Sequence, residues 1–306
     1  MITETTMLYL YTETPLHAGT GSGLSSIDLP IQRERTTQYP MIQGSGIKGK
    51  LRATIEGDRK LLSDEQRNLV NIIFGPSSEE GKGNEHAGAL IAGDARILLF
   101  PVRSLDGVFA YTTSYDVLNR FRRDIERGQN TSLSWNVPTG IKDKALITTA
   151  SDVQSNNMLV LEEFSFETQS DPAVDQIASW IAENALPTFG TDAYWSAKVK
   201  SSLVILPNDD FRDFVLYATE IITRVRISRE TKTVERGALW TEEHLPTDTL
   251  LYVPIYATNA RKDGSTMKAK EVLAQAKTLA KEQGSFLQLG GDETVGRGMV
   301  RTRWGS

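Results

Sequence analysis

The chain has 306 residues, 39% of them hydrophobic and 24% charged, with a net charge of −5. That length buries a full core, as one elaborated domain or two small ones, in a composition ordinary for a soluble globular protein. The absence of cysteine excludes disulfides, thiolate zinc sites and cysteine nucleophiles, and three histidines argue against a histidine metal cage.

Met7 to Tyr11 reads as a short strand. His17 to Ser26 is polar and glycine-rich and cannot be helix, and Asp28-Leu-Pro-Ile-Gln-Arg-Glu-Arg continues as an exposed loop closed by Tyr39-Pro40. Ser45 is a helix N-cap. Ile47, Leu51 and Ile55 follow at helical spacing, with Lys48 and Arg52 sharing a second face. Glu65 to Phe74 predicts a short helix stopped at Gly75-Pro76, and Ser77 to Gly88 a polar loop. Ala89 to Phe100 reads as a pair of strands about Gly93-Asp94. Ser114 to Arg127 has a helical pattern with arginines opposite Val117, Leu118, Phe121 and Ile125. Gln129 to Asn157 is loop-rich, and Asn157 to Phe166 is a strand. Pro172 to Ala185 is an amphipathic helix, Leu203 to Leu206 a strand and Asp209 to Ala218 a helix.

Ile221 to Ile227 alternates, with Arg224 and Arg226 on one face. After a turn at Ser228 to Lys232, Thr233 to Trp240 pairs back and completes a cationic β-hairpin. Thr249 to Ala257 is a buried strand and Lys268 to Lys281 a helix, and strands at Phe286 to Leu289 and Met299 to Arg303 flank a glycine loop. This irregular alternation is α+β rather than a doubly wound parallel sheet. A ferredoxin-like β-α-β-β-α-β core with large insertions is the most economical account. No repeat and no clear linker divides the chain, which reads as a single elaborated unit over 1–306.

Two glycine-rich segments stand at opposite ends, Ile42 to Arg52 and Leu287 to Gly298. A glycine-rich turn that opens a helix carrying lysine and arginine suits phosphate, so the pair points to a polyanion held along an extended surface. Charge distribution tempers the acidic average. His17 to Lys60 holds seven Lys/Arg against four acids, and Arg224 to Arg236 holds five against two. Mixed solvated faces explain these counts equally well; a subunit with a nucleic-acid face and protein-facing acidic surfaces is the sharper reading. No apolar run approaches the roughly 20 residues of a membrane span, and the start lacks a signal-peptide pattern, so a reducing cytoplasm fits.

The ordered set Thr14-Pro15-Leu16-His17-Ala18-Gly19, Asp28 to Arg35, Gly44 to Gly49, Ile73 to Pro76, Ala92 to Leu105, Leu239 to Glu243 and the terminal glycine loop resembles the RAMP superfamily of CRISPR effector proteins. Within that superfamily it is similar to the repeated backbone subunit of type III-B (Cmr) complexes. The resemblance covers nearly the whole chain. It implies a palm related to an RNA-recognition fold and a β-hairpin thumb within 221–240. It also implies head-to-tail copies on a CRISPR RNA, other Cmr subunits as partners, and cleavage of complementary target RNA at regular steps. The cleavage would use Mg²⁺ or Mn²⁺ and an aspartate in each copy.

Asp28 matches that aspartate and is the leading catalytic and metal-binding candidate; the alternative is a turn-forming aspartate before Leu29-Pro30. His17 and Glu235 are further catalytic candidates. Lys48 is the foremost guide-RNA contact, with Ser45, Gly46 and Lys50 beside it. Arg52 joins them or pairs with Glu56. Arg33, Arg35, Arg224, Arg226, Gly296 and Arg297 complete the RNA-binding candidates; Arg224 and Arg226 would otherwise meet an acidic face of a neighbour. Asp292 and Glu293 are assigned to backbone structure. The alternatives are a guide-binding scaffold without cleavage, and a guide-processing endonuclease using histidine chemistry.

Overall fold

The structure is a computed structural model that describes residues 4–23, 27–76, 86–129, 133–139, 143–188 and 193–305. Residues 24–26 of the first glycine loop, and most of the loop expected at 77–88, lie outside that set.

Strand β1 (Glu4–Thr12) leads through a long loop to β2 (Met41–Ile42) and helices α1 (Gly44–Glu56) and α2 (Asp64–Phe74). A Ser63/Gln66 capping box starts α2, and Gly75, at φ 101°, ends it. Next come β3 (Leu90–Ala92), β4 (Ala95–Arg103), β5 (Phe109–Ser114) and α3 (Tyr115–Gln129). The middle of the chain holds β6 (Ala145–Ile147), β7 (Met158–Leu161), β8 (Phe164–Ser170), α4 (Pro172–Asn184), α5 (Tyr194–Ser202), β9 (Leu203–Leu206) and α6 (Asn208–Tyr217). The hairpin β10 (Glu220–Ile227) and β11 (Val234–His244) precedes β12 (Leu250–Ala257), α7 (Ala269–Glu282), β13 (Phe286–Gln288) and β14 (Met299–Trp304).

The large sheet runs β13-β14-β1-β12-β4-β5-β9-β6-β8-β7, with β2 added to β4 and β3 to β12. Among the described residues, only β5/β9 and β6/β8 of this sheet pair in parallel; its other strand pairs are antiparallel, which makes the fold a mixed α+β architecture. β1 is almost continuously buried, so both its faces are covered. Phe121 of α3 meets Tyr9 edge-on on one side, and α7 packs against β1 and β12. Around Phe121 gather Trp135, Trp180 and Tyr252. Asp124, nearly inaccessible beneath them, is satisfied by Arg96 at 2.6 Å and the Tyr252 hydroxyl at 3.1 Å. Hairpin β10/β11 stands off as its own two-stranded sheet.

Several expectations need correction. Asn157 to Phe166 is two strands, because Glu162 turns the chain at φ 49°. β3 and β4 do not pair with each other; both join β12. The stretch read as loop at 129–157 contains β6, and β5 and α5 were not anticipated. Ser45 is not the cap of α1. Gln43 holds that position without a side-chain bond, and the Gly44 N–H instead donates to Asp94 Oδ1 at 2.8 Å.

Candidate functional site

The two glycine segments meet. Gly291 N–H donates to the His17 carbonyl at 2.9 Å, and Gly298 N–H to the Pro15 carbonyl at 2.9 Å. Lys50, on α1, donates to Gln288 Oε1 at 3.4 Å. Between them lies a cavity of about 350 Å³ lined by Gly19, Gln32, Gly46, Lys50, Gln288 and Gly290, among others. Gly290 has φ +76°, and a Cβ there would lie 2.1 Å from the His17 carbonyl oxygen, so only glycine allows this approach. A Cβ on Gly46 would meet nothing within 4 Å; that glycine faces open space rather than packing. A larger cavity of about 540 Å³ elsewhere is lined by Glu162, Glu163, Asp210 and Asp213 beside Phe164 and Tyr217. Its carboxylates would repel a phosphate backbone.

Lys48 is half-buried on α1, and burial first, then Arg52 and Arg261, push its ammonium below the ordinary lysine range. It has no carboxylate partner among the described residues, so an incoming phosphate would relieve the crowding of like charges. Arg35 is exposed. Arg297 is half-buried and acts electrostatically on Glu220.

Four residues of β11 organise the opposite side. The Thr241 backbone N–H and hydroxyl donate to Asp28 Oδ2 at 2.8 and 2.9 Å. These bonds hold the exposed Asp28 carboxyl below its ordinary value. Its Oδ1 makes no hydrogen bond among the described residues. The Glu243 carbonyl accepts from His17 Nδ1 at 2.7 Å. A carbonyl only accepts, so Nδ1 carries the hydrogen and Nε2 of the neutral ring is an acceptor. Glu243's carboxylate takes the Ile31 N–H at 3.0 Å, the Thr219 hydroxyl at 2.9 Å and the Arg33 guanidinium. His17 and Asp28 are thus anchored two residues apart, roughly 7 Å of strand.

Beneath them, Glu242, His244 and Asp292 bring potential metal-ligating atoms within 4.8 Å of one another. Arg224 already spans the two carboxylates, at 2.9 Å from Glu242 and 3.0 Å from Asp292. A cation there would have to displace the guanidinium, so the group reads as an internal ion-pair cluster. His244 is fully buried, its ring 5.3 Å from that of His17, and burial lowers its basicity.

The remaining candidate residues differ in what they contact. Glu235 sits near the hairpin tip, 3.8 Å from Arg226. The register shift around Gly237 shortens this stretch of β11, so Glu235 lies on the order of 10 Å from Thr241, and no hydrogen bond or ion pair joins it to Asp28 among the described residues. Arg33 is spent on Glu243, the Gln38 carbonyl and the Val215 carbonyl. Arg224 faces inward to Glu242 and Asp292, while Arg226 points to solvent. Arg52 takes the Glu56 option at 3.1 Å. The sequence reading missed the organising role of Thr241-Glu242-Glu243-His244. Its signal was a run of four consecutive polar residues at the end of β11, the last three of them buried.

Comparison with known proteins fits this geometry. The sequence profile of the RAMP superfamily matches residues 9–301. The CRISPR system Cmr endoribonuclease Cmr4 of Pyrococcus furiosus is 42% identical over 292 residues, 95% of this chain and 92% of that protein. The CRISPR system CMR subunit Cmr4 of Saccharolobus solfataricus is 25% identical, over 95% of this chain and 93% of that one. The crystal structure of oligomeric Cmr4 from Pyrococcus furiosus superposes with a TM-score of 0.72 and 34% identity in the structural alignment, covering 98% of each chain. The chain belongs to the RAMP superfamily, and within it to the Cmr4 proteins.

Proposed function

We propose that this chain is a repeated backbone subunit of a cytoplasmic type III-B CRISPR effector complex. It binds CRISPR RNA along its phosphates and cleaves complementary target RNA at regular intervals, alongside further copies of itself and other Cmr subunits. The carrying observation is the exposed Asp28 carboxylate, fixed through one oxygen by Thr241, on the loop that also lines the cavity between the glycine segments. The antiparallel β1–β12–β4 core with its helices is read as the ferredoxin-like palm, and β10/β11 as the thumb.

Lys48, Lys50, Ser45 and Gly46 on α1 supply the guide contacts, with Gly296 and Arg297 from the C-terminal loop, and the exposed Arg35 and Arg226 are further cations within reach of RNA. Because Asp94 already meets the first N–H of α1, the Lys48 ammonium carries more of the phosphate contact than the helix end does. Contacts of this kind read no sequence; base pairing between guide and target does.

Asp28 fits a divalent cation: one carboxylate oxygen is restrained by Thr241, the other accepts no hydrogen bond among the described residues, and Mg²⁺ needs only one or two protein carboxylates when substrate phosphates complete its shell. Bound there, Mg²⁺ or Mn²⁺ would supply neutralisation of phosphate charge. The protein's own part is to hold Asp28 ionised, to present His17 Nε2 as a proton acceptor, and to keep the RNA backbone extended for in-line attack by a 2′-hydroxyl.

The test reconstitutes the chain with guide RNA and its partner subunits, then adds target RNA with Mg²⁺. Regularly spaced products that disappear in Asp28→Asn, and on chelation, with target affinity retained, support the proposal. Cleavage surviving in Asp28→Asn removes Asp28 from the chemistry; cleavage persisting under chelator removes the metal. Uncut target with wild type in a normal assembly leaves a guide-binding scaffold.

A further inference from the structure

We infer that the hydroxyl of Thr241 is the positioning group for the Asp28 carboxylate, fixing which carboxylate oxygen is offered to the RNA. The inference rests on the reading of Asp28 as the cleavage residue. Its warrant is the way the two side chains interlock. The hydroxyl donates its hydrogen to Asp28 Oδ2 at 2.9 Å. Its lone pair accepts the Asp28 backbone N–H at 3.0 Å. One hydroxyl therefore holds both ends of the same residue, and the Thr241 N–H adds a second donor to Oδ2 at 2.8 Å.

The backbones are tied as well. Leu29 N–H donates to the Thr241 carbonyl at 3.0 Å, and Glu243 N–H to the Leu29 carbonyl at 3.0 Å. Leu29 and Glu242 form a parallel bridge. The loop carrying Asp28 is thereby added to β11 as a one-residue strand. An exposed aspartate in such a loop would otherwise sample several rotamers. Here Oδ2 is committed to Thr241, while Oδ1 accepts no hydrogen bond among the described residues.

The anchor also belongs to the hairpin. Thr241 pairs with Thr223 in the β10/β11 register. The orientation of the Asp28 carboxylate is therefore set from the base of the cationic hairpin, 213 residues along the chain. Hydrogen bonds to a charged group are among the stronger ones, and misplacing a reacting carboxylate slows chemistry without weakening substrate binding.

Thr241→Val keeps the β-branched shape and the backbone donor but loses both hydroxyl bonds, whereas Thr241→Ser keeps the hydroxyl and loses only the methyl. The experiment measures single-turnover cleavage and target affinity in the assembled complex for wild type, both Thr241 variants and Asp28→Asn. Expected is cleavage about tenfold slower in Thr241→Val, with target affinity within about twofold of wild type, and recovery to within about twofold in Thr241→Ser. If Thr241→Val does not assemble, Thr241→Ala replaces it under the same criteria. Wild-type cleavage in the hydroxyl-free variant, with Asp28→Asn inactive, overturns the inference and leaves the reading of Asp28 standing. Cleavage surviving in Asp28→Asn overturns that reading and the inference with it. Equal slowing in Thr241→Ser, or a parallel loss of affinity, makes Thr241 a packing residue and also overturns the inference.

Discussion

Arg224 and Asp292 face each other at 3.0 Å across 68 residues of sequence, joining the first strand of the hairpin to the C-terminal glycine loop. The same guanidinium holds Glu242, and Glu242 also accepts from the Trp240 indole N–H at 2.7 Å. Burial alone would raise the Glu242 carboxyl, but the hydrogen bonds from Trp240 and Arg224 outweigh it and keep the group ionised. Hairpin and glycine loop are therefore one electrostatic unit.

Arg224→Ala leaves Glu242, only 6% exposed, without its main counter-charge. The expected cost is about 2 kcal/mol, below that of a fully buried pair because Arg224 itself is partly solvated. Urea denaturation followed by tryptophan fluorescence measures it. Arg224→Lys recovers little, since an ammonium does not span two carboxylates as a guanidinium fork does. An unchanged midpoint in the alanine variant would show that the cluster contributes nothing to folding.

How far such features were legible beforehand depends on their range. The hairpin announced itself, because Ile221 to Ile227 alternates residue by residue and its cations mark an exposed ribbon. Asp28 and the two glycine segments were also visible, as local motifs. The partner of Asp28 was not, because nothing local says that residue 28 lies against residue 241; that register is a product of tertiary packing. The same gap hides two further acids: the sequence singles out Glu235 on the return strand, while register sets Glu242 against Arg224 and Glu243 against Arg33. Periodicity put Arg224 and Arg226 on one face, yet Arg224 lies at the strand's buried base and Arg226 at its solvated end. Helix α5 escaped because Tyr-Trp-Ser-Ala-Lys-Val-Lys has little apolar period, and β6 because three residues give no pattern.

Gly46 and Gly290 should respond in opposite ways to alanine. Gly46 is helical and open, so Gly46→Ala stabilises the fold by about 0.5–1 kcal/mol. It also places a methyl where the guide backbone is proposed to run, and loss of one close phosphate contact weakens RNA binding about tenfold. Gly290→Ala combines a left-handed φ with the 2.1 Å clash against the His17 carbonyl. Its cost is about 3 kcal/mol or more, by strain and displacement of the His17 loop together. Thermal melts and filter binding on the two variants separate folding from RNA contact. Undiminished RNA affinity in Gly46→Ala would move the guide path away from α1.

His244 gives the fold a pH dependence whose sign follows from its burial. Desolvation lowers its pKa below the ordinary 6.5, although Glu242 and Asp292 pull the other way. Beneath 6.5 the unfolded chain therefore binds a proton that the folded chain still refuses, so stability rises with pH across this window and is lost as pH falls through it. The groups facing the ring are Glu242 and Asp292, Arg224 bridging them, and His17 at 5.3 Å. Glu242 and Asp28, held below their ordinary values, titrate well under this range. The urea midpoint of wild type should fall between pH 7.5 and 5.5 more steeply than that of His244→Gln, which keeps a polar side chain but does not titrate. Because every other group is common to both proteins, the difference between the two curves isolates His244. Parallel curves would mean that the ring takes up its proton as readily in the fold as in water, with the Glu242–Asp292 pair fully offsetting the cost of burial.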